Sequence, residues 1–182
     1  MSRRRATLLA LGAVLAVGVT FALGWFQPWK LIVDDKVHEA LPAVATEPLS
    51  VATVVPSTSS VPVPPQPQLL SRGTFISHEH PTRGVVSVVR QPDGSRVLAI
   101  AGLHTSNGPL LKVWLTDQKV TKDGWHVFDD GKYVNLGGLK GNIGDQLYPI
   151  PAGADLSVLH SVTIWCDRFN VSFGAAELVP VG

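Results

Sequence analysis

Cys166, the single cysteine of the chain, has the side chain best suited to redox chemistry or to holding a metal or prosthetic group. It ends the segment HSVTIWC, in which Val162 and Ile164 share its face at the two-residue period of a strand. Beyond it the apolar residues change phase near Asp167 and Arg168, which indicates a bulge or a bend. We therefore expect Cys166 at the inward end of a core strand, beside a local distortion.

Three interpretations of Cys166 are open at this point. A free cysteine is often simply a small buried hydrophobic residue. A partly exposed thiol near Arg168 would have a lowered pKa, which suits redox chemistry or thiolate ligation of a metal or haem. An internal disulfide is excluded because there is no second cysteine, and an odd exported cysteine can instead pair between two chains.

The histidines do not form a recognisable metal site. His78 and His80 stand in the sequence HEH and would share one face of a strand, but no further ligand follows at a metal-site spacing. His104 and His160 lie at the ends of predicted strands, where polar residues are common. A Gly-x-Ser-x-Gly elbow and a phosphate-binding loop are both missing, so we expect a domain that is not an independent enzyme.

A glycine-rich stretch, LGGLKGNIG, contains Lys140, Gly141 and Asn142. Glycines at this density favour tight β-turns with backbone at positive φ, and we prefer this interpretation to a ligand-binding loop. The tryptophans of the same region, Trp114 and Trp165 among them, are expected as core or rim aromatic residues rather than as a binding platform.

The elements that position these residues are predicted to be strands. After residue 70, short runs rich in Val, Ile, Leu and aromatic residues are separated by Gly, Asp, Asn and Pro, which favours an all-β sandwich or barrel. Asp93 and Gly94 provide a two-residue turn of the kind that closes hairpins. The predicted strands cover residues 85–89, 97–103, 111–115, 133–136, 146–150, 160–166 and 169–173.

The N-terminal region predicts a membrane anchor. Residues 6–29 carry no charge and are mostly apolar, and about 20 such residues cross the roughly 30 Å hydrocarbon core. Three arginines at positions 3–5 favour a cytoplasmic N-terminus, and Trp25 and Trp29 suit the outer interface. A cleaved signal peptide, with a weak cleavage site at residues 22–24, is the alternative, and the length of the apolar run favours a retained helix.

A linker is predicted between this helix and the strands. Residues 30–41 have loosely helical apolar spacing, which predicts a short turn or helix near the membrane surface. Residues 42–68 contain seven prolines and favour polyproline II geometry. We interpret them as a semi-rigid stalk that holds the domain several nanometres from the bilayer, or as a disordered linker. The predicted divisions are 1–29 for the tail and helix, 30–69 for the linker and 70–182 for the folded domain.

The charge balance excludes nucleic acid as a partner. From residue 70 onward ten Lys and Arg residues face ten Asp and Glu residues, so the predicted domain has no formal net charge. Such a domain has no general attraction for a phosphate backbone. The expected partners are the lipid bilayer, through residues 6–29, and a redox or cell-envelope protein.

The folded part resembles the DM13 domain, a small β-sandwich module named for proposed electron transfer, over about residues 71–179. One motif, Asn107-Gly108-Pro109 followed by LLKVWL, is similar to the family's Asn-Gly-Pro-Asp turn and next strand, with Leu110 in place of the usual aspartate. The N-terminal arginines, membrane segment and linker are similar to actinobacterial members. The other matching residues are Gly73, Phe75, His80 and Gly84, the segment LGGLKGNIGDQLYPIP, the block Val162, Ile164, Trp165, Cys166 and Phe169, and Phe173, Ala176 and Leu178.

This resemblance implies a β-sandwich of about eight strands and a site at Cys166, which falls on a cysteine suspected of redox chemistry in the family. The cofactor is unknown, and the family cysteine acts either as a bare thiol or by holding a prosthetic group such as haem. We expect an extracytoplasmic electron-transfer or thiol-redox module; the alternative is a non-catalytic binding or adhesion module with a buried structural Cys166. The motif residues with a structural or possible site role are Trp165, Asn107, Gly108, Lys140, Gly141, Asn142 and His80.

Overall fold

A computed structural model describes residues 3–44 and 65–181 of the chain. Helix α1 (Arg3–Phe26) is followed by a short 3-10 helix, η1 (Pro28–Leu31). Eleven strands follow in the described residues: β1 (Lys36–His38), β2 (Gln68–Thr74), β3 (Ile76–Ser77), β4 (Arg83–Arg90), β5 (Arg96–His104), β6 (Leu111–Thr116), β7 (Tyr133–Gly138), β8 (Ile143–Ile150), β9 (Ser161–Cys166), β10 (Val171–Glu177) and β11 (Val179–Pro180).

The described strands form two sheets, which confirms the all-β sandwich. One sheet has the order β1-β8-β5-β4-β2-β11, and the other has the order β3-β10-β9-β6-β7. Neighbouring strands in these described sheets are antiparallel except β1 and β8, which are parallel. The seven strands predicted by residue range correspond to β4 to β10. With β2 they make the eight longer strands that the resemblance implies, and the three additional strands have two or three residues each.

The core lies between the sheets, where inward residues such as Val86, Ile100, Leu115 and Ile164 are fully buried. Burying one such side chain stabilises the fold by about 1.5–3 kcal/mol. Every residue of β9 is buried, because the outer face of its sheet is also covered. A second cluster on that outer face contains Trp114, Phe128, Trp165 and Ala175.

Two predicted turns are present in altered form. The β4–β5 hairpin is confirmed, but its loop spans residues 91–95, with Gly94 at φ 84°. The phase change after Cys166 is a hairpin turn over residues 167–170 that joins β9 to β10, with Asn170 at φ 50°. The register shift in β10 lies further on, between Ser172 and Gly174.

Helix α1 begins with three arginines and is apolar from residue 6 onward. Its apolar part is exposed to its surroundings and is long enough to cross a membrane. It fits either a single-pass anchor or a signal sequence.

The helical expectation for residues 30–41 is wrong for Lys36–His38, which is strand β1 at the edge of the first sheet. Its residues pair in register with Ile143, Gly144 and Asp145 of β8. A three-residue strand cannot show a reliable period, so its partner decides its conformation. Most of the predicted stalk, residues 45–64, lies outside the described residues. The chain that contains it connects β1 to β2, two strands of one sheet.

Candidate functional site

Cys166 ends β9 at the edge of the core, with a side chain that is 0% exposed. Its Sγ donates a hydrogen bond to the carbonyl oxygen of Pro109, at 3.3 Å. Cys166 is paired with Leu111 on β6 and with Val171 on β10. The thiol is therefore enclosed between two strands and the turn that precedes β6, as expected for an inward residue at the end of a core strand.

Burial raises the pKa of the Cys166 thiol, because desolvation disfavours the thiolate. Backbone hydrogen bonds at residues 168 and 169 and the charge of Arg168 act in the opposite direction but do not outweigh burial. The lowered pKa expected of a partly exposed thiol near Arg168 does not apply, because the Cys166 side chain is buried. The guanidinium of Arg168 is directed to Trp25, and Cys166 is held as a neutral thiol, which is a poor nucleophile.

A haem or similar group bound through Cys166 does not fit this packing. The Sγ atom is in the main core cluster and already has the oxygen of Pro109 as its partner. A planar macrocycle at Sγ would have to displace buried residues of β6 and β10, including Leu111 and Val171. We therefore derive no chemistry through a prosthetic group at this position.

Trp165 points away from Cys166, into the cluster on the outer face of the sheet. Its indole is stacked on Trp114, with ring centroids 5.1 Å apart and planes inclined by 27°. Trp114 is stacked in turn on Tyr133, at 4.2 Å and 11°. Because Trp165 is 1% exposed and Tyr133 is 46% exposed, the three rings form a continuous path from the interior to the surface.

The indole Nε1 of Trp114 is buried and has no hydrogen-bond partner in the described part of the chain. A buried unsatisfied N–H costs about 1–3 kcal/mol. Stacking against two aromatic rings partly offsets this cost, since such pairs contribute about 0.5–1.5 kcal/mol each beyond their buried area.

Asn107 and Asn142 bind the segment between the N-terminal helix and β1. The Nδ2 of Asn107 donates to the carbonyl of Val33 at 3.1 Å and to Oδ2 of Asp35 at 2.8 Å. The Oδ1 of Asn142 accepts the backbone N–H of Asp35 at 2.7 Å, and its Nδ2 donates to Asp34 Oδ1 at 2.8 Å. Both asparagines are buried. These motif residues therefore form a docking groove for an extended acidic segment of the same chain.

Lys140 and Gly141 complete this groove. The Nζ of Lys140 lies 2.7 Å from Oε1 of Glu39, whose other oxygen accepts the backbone N–H of Leu147 at 2.6 Å. These contacts lower the pKa of the Glu39 carboxyl, through the Lys140 hydrogen bond first. A Cβ on Gly141 would lie 2.5 Å from the carbonyl oxygen of Asp35, so only glycine allows this approach.

Gly108 and His80 belong to another contact. A Cβ on Gly108 would lie 2.9 Å from the ring of Phe173, and the same ring also contacts His80, with ring centroids 4.0 Å apart. Burial lowers the pKa of His80, because the imidazolium is poorly solvated there. His80 thus packs as a neutral aromatic residue, with a structural role.

His78 is not on a strand with His80, as predicted, but in a bend after β3. It is buried, its Nε2 donates to the carbonyl of Thr121 at 3.0 Å, and its Nδ1 accepts from Ser172 Oγ at 2.8 Å. Desolvation lowers the pKa of His78. Among residues 3–44 and 65–181, no three His, Cys, Asp or Glu side chains are placed to hold a metal ion.

The structure therefore separates the predicted site residues into four places. Asn107, Lys140, Gly141 and Asn142 share the docking groove, Trp165 lies in the aromatic stack, and Gly108 and His80 pack on Phe173, while Cys166 lies in the core behind the turn that holds Gly108. Two groups were missed: the acidic residues 34, 35 and 39, and the partnership of Trp114 with Tyr133. Their signal was the charge pattern DDKVHE in the segment after the apolar helix, and the outward position of Trp114 on its strand.

The family model for the electron transfer DM13 domain matches residues 74–178. The match covers more than half of the chain, and the chain belongs to this family. No curated protein and no solved structure matches it.

Proposed function

We propose that this chain is a membrane-tethered, extracytoplasmic electron-transfer module, with its N-terminus in the cytoplasm and the β-sandwich outside. The family match supports electron transfer, and the apolar helix α1 supports tethering. The arginines at positions 3–5 support this orientation, as in the membrane-anchored actinobacterial type. The observation that carries the redox proposal is the ring stack from Trp165, the neighbour of Cys166, to Tyr133.

The stack has the properties of a path for single electrons. A one-electron oxidant at the Trp165 end removes an electron from Trp165. An electron then moves to Trp165 from Trp114, and to Trp114 from Tyr133, whose phenol proton passes to water. A one-electron donor that docks at exposed Tyr133 restores the stack, and Tyr133 regains its proton from water, so the net change is one electron from donor to oxidant.

The unpaired N–H of Trp114 supports this direction of transfer. An oxidised indole that cannot pass its proton to a hydrogen-bond acceptor keeps its positive charge. A positive charge in a buried aromatic cluster is unfavourable. The oxidised state, that is, the missing electron, therefore moves to a ring that reaches water. Tyr133 is that ring, since it is the most exposed of the three.

The experiment places an oxidant at the inner end of the stack. Lys112 is the cross-strand neighbour of Trp165, so a ruthenium-type photo-oxidant attached to Lys112→Cys lies beside the indole. We expect light to produce a tyrosyl radical, read by electron paramagnetic resonance. Trp114→Leu and Tyr133→Phe should each abolish that signal. Trp125→Leu, outside the stack, is the control, and the chain holds only two tyrosines, Tyr133 and the buried Tyr148.

A radical that survives in Trp114→Leu would show that the stack does not carry the electron. A radical that is lost in Cys166→Ser would instead make the thiol the working group, and the redox role would be centred on Cys166. Cys166→Ser keeps a hydrogen-bond donor toward Pro109 and is therefore a close structural match.

A non-catalytic cell-envelope binding module is the second candidate. It is favoured by the closed environment of Cys166 and by an open cleft of about 730 Å³ beside edge strands β3 and β11. Ile76, Val179 and Val181 line this cleft and are exposed apolar residues. This candidate predicts binding of an envelope protein that Val179→Asp abolishes, with no light-driven radical at Tyr133.

A further inference from the structure

Only a short connection separates the apolar helix from the sandwich. Helix α1 ends at Phe26, and the carbonyl of Val33 is already bound by Asn107 of the domain. The six residues 27–32 between them span at most about 20 Å when fully extended, and part of them is the compact turn η1. A domain docked at residues 33–39 therefore lies close to the outer end of the helix.

The turn between β9 and β10 contacts that helix end directly. Nη1 of Arg168 donates to the carbonyl of Trp25 at 2.8 Å, and its guanidinium lies 3.9 Å from the centre of the Trp25 ring. Phe169 is stacked on Phe26, with ring centroids 6.3 Å apart. Trp25 is one of the two tryptophans predicted at the outer interface of the span, and Phe26 follows it.

Leu110 lies beside this turn, because the N–H of Asp167 donates to its carbonyl at 3.3 Å. It is 48% exposed and has a φ of 57°, a left-handed conformation that disfavours a leucine. In water an exposed leucine in this conformation is unfavourable twice over. Contact with lipid would bury the apolar side chain, and the free energy of that burial would offset the cost of the backbone conformation.

We propose that the two turns at residues 107–110 and 167–170 form a tip that lies in the headgroup region of the bilayer, with Leu110 and Phe169 inserted in the apolar boundary. Arg168, which is bound to the carbonyl of Trp25 at the helix end, adds a positive charge at this tip, where anionic lipids would attract it. This proposal depends on the membrane tethering described above but not on electron transfer.

The proposal orients the whole domain. Cys166 and Leu111 are paired at the tip end of β9 and β6, whereas Ser161 and Thr116 are paired at the far end, where Tyr133 joins. The aromatic stack therefore runs outward from the membrane, and its buried Trp165 end is the end nearer the lipid. The Pro-rich chain is then the connection between β1 and β2, two strands of one sheet, and not a spacer that lifts the domain from the bilayer.

The test measures depth in the full chain, reconstituted in phosphatidylcholine–phosphatidylglycerol vesicles. A fluorophore is attached to Asp167→Cys at the tip, or to Ala152→Cys at the opposite end, where Ala152 is exposed and bound by Arg96 through its carbonyl only. Because Cys166 is buried, the unsubstituted chain should take no label. We expect nitroxide-bearing lipids to quench the label at 167 and only aqueous iodide to quench the label at 152.

In the double variant Leu110→Asp, Phe169→Asp, the label at 167 should be quenched by iodide and no longer by the nitroxide-bearing lipids. The chain should remain bound to the vesicles. Vesicle flotation distinguishes the proposed membrane tether from the proposed lipid-contacting tip. A chain that does not float with the vesicles lacks the tether itself. A chain that floats while both labels are quenched only by iodide would overturn the tip and leave the tether intact. Equal lipid quenching at both positions would overturn the orientation.

Discussion

The backbone N–H of Asp35 donates to Oδ1 of Asn142 at 2.7 Å, across 107 residues of sequence. The same amide side chain donates to Asp34 and to the carbonyl of Thr105. Asn142 thus connects the segment after the helix to two separate parts of the sandwich. This motif is a candidate site in the sequence. In the structure it binds the segment of the same chain that leads into strand β1.

Asn142→Ala should release residues 33–39 from the domain. It leaves the N–H of Asp35 and the carbonyl of Thr105 without their partner, a cost of about 1–3 kcal/mol. We expect faster amide hydrogen exchange at Lys36–His38 in the full chain. Asn135→Ala is the control, because Asn135 makes only a local exposed bond to Gly137; unchanged exchange in Asn142→Ala would contradict the docking.

Gly144→Ala should detach β1 more strongly than Gly137→Ala. Both glycines have positive φ, 113° and 126°, so both substitutions strain the backbone. Only at Gly144 would the added Cβ clash with another strand, at the carbonyl oxygen of Val37, whereas Gly137 faces open space. Both variants carry the backbone strain, so the difference in amide exchange rate at β1 between them measures the effect of the clash. Equal exchange rates in the two variants would contradict the contact between Gly144 and β1.

Cys166 should make the domain less stable in alkali. Burial raises the pKa of the folded thiol, so its contribution is fully present below the unfolded pKa of about 9 and is lost as pH rises toward the folded pKa. We expect the free energy of unfolding to fall above about pH 9, less steeply in Cys166→Ser. Identical pH profiles, or rapid reaction of the native thiol with an aqueous maleimide, would show that the thiol is open to solvent.

His78 should have the opposite effect, in acid. Desolvation lowers its folded pKa, so its contribution is present above the unfolded pKa of about 6.5 and is lost as pH falls through the folded value. Protonation would also place a second N–H against Ser172 Oγ. The thermal midpoint should fall between about pH 7 and pH 5, and less so in His78→Gln; His104→Gln, at an exposed position, should behave like the parent chain.

The sandwich and the inward position of Cys166 could be predicted because strands with one buried face repeat every two residues, as in Val162, Ile164 and Cys166. Strand β1 could not be predicted, because three residues carry too little pattern and its partner strand lies more than one hundred residues away in the sequence. The ring stack also depends on register. Trp114 and Trp165 meet only because β6 and β9 pair Trp114 with Thr163, which a one-residue slip would undo.

The raised pKa of Cys166 could not be predicted from the neighbouring residues in the sequence. Arg168 is two residues from the thiol, which favours a thiolate, yet its side chain extends to Trp25. Solvent access, not sequence distance, decides the protonation state. For Lys140, Gly141 and Asn142, a break between two strands was predictable, but the positive φ angles lie at Gly137 and Gly144 within β7 and β8, and the segment that binds here was not predicted.

The parallel pairing of β1 with β8 also has a mechanical consequence. With helix α1 as the proposed anchor, a pulling force between the helix and the outer part of the domain acts on the contacts of Arg168 and Phe169 with the helix end, and on β1 with the hydrogen bonds that hold it. When these contacts yield, the chain of residues 39–67 adds a contour length of roughly 9 nm at about 3 Å per residue. Relaxation of the force would let β1 dock again on the sandwich, so the joint between helix and domain would extend and recover reversibly.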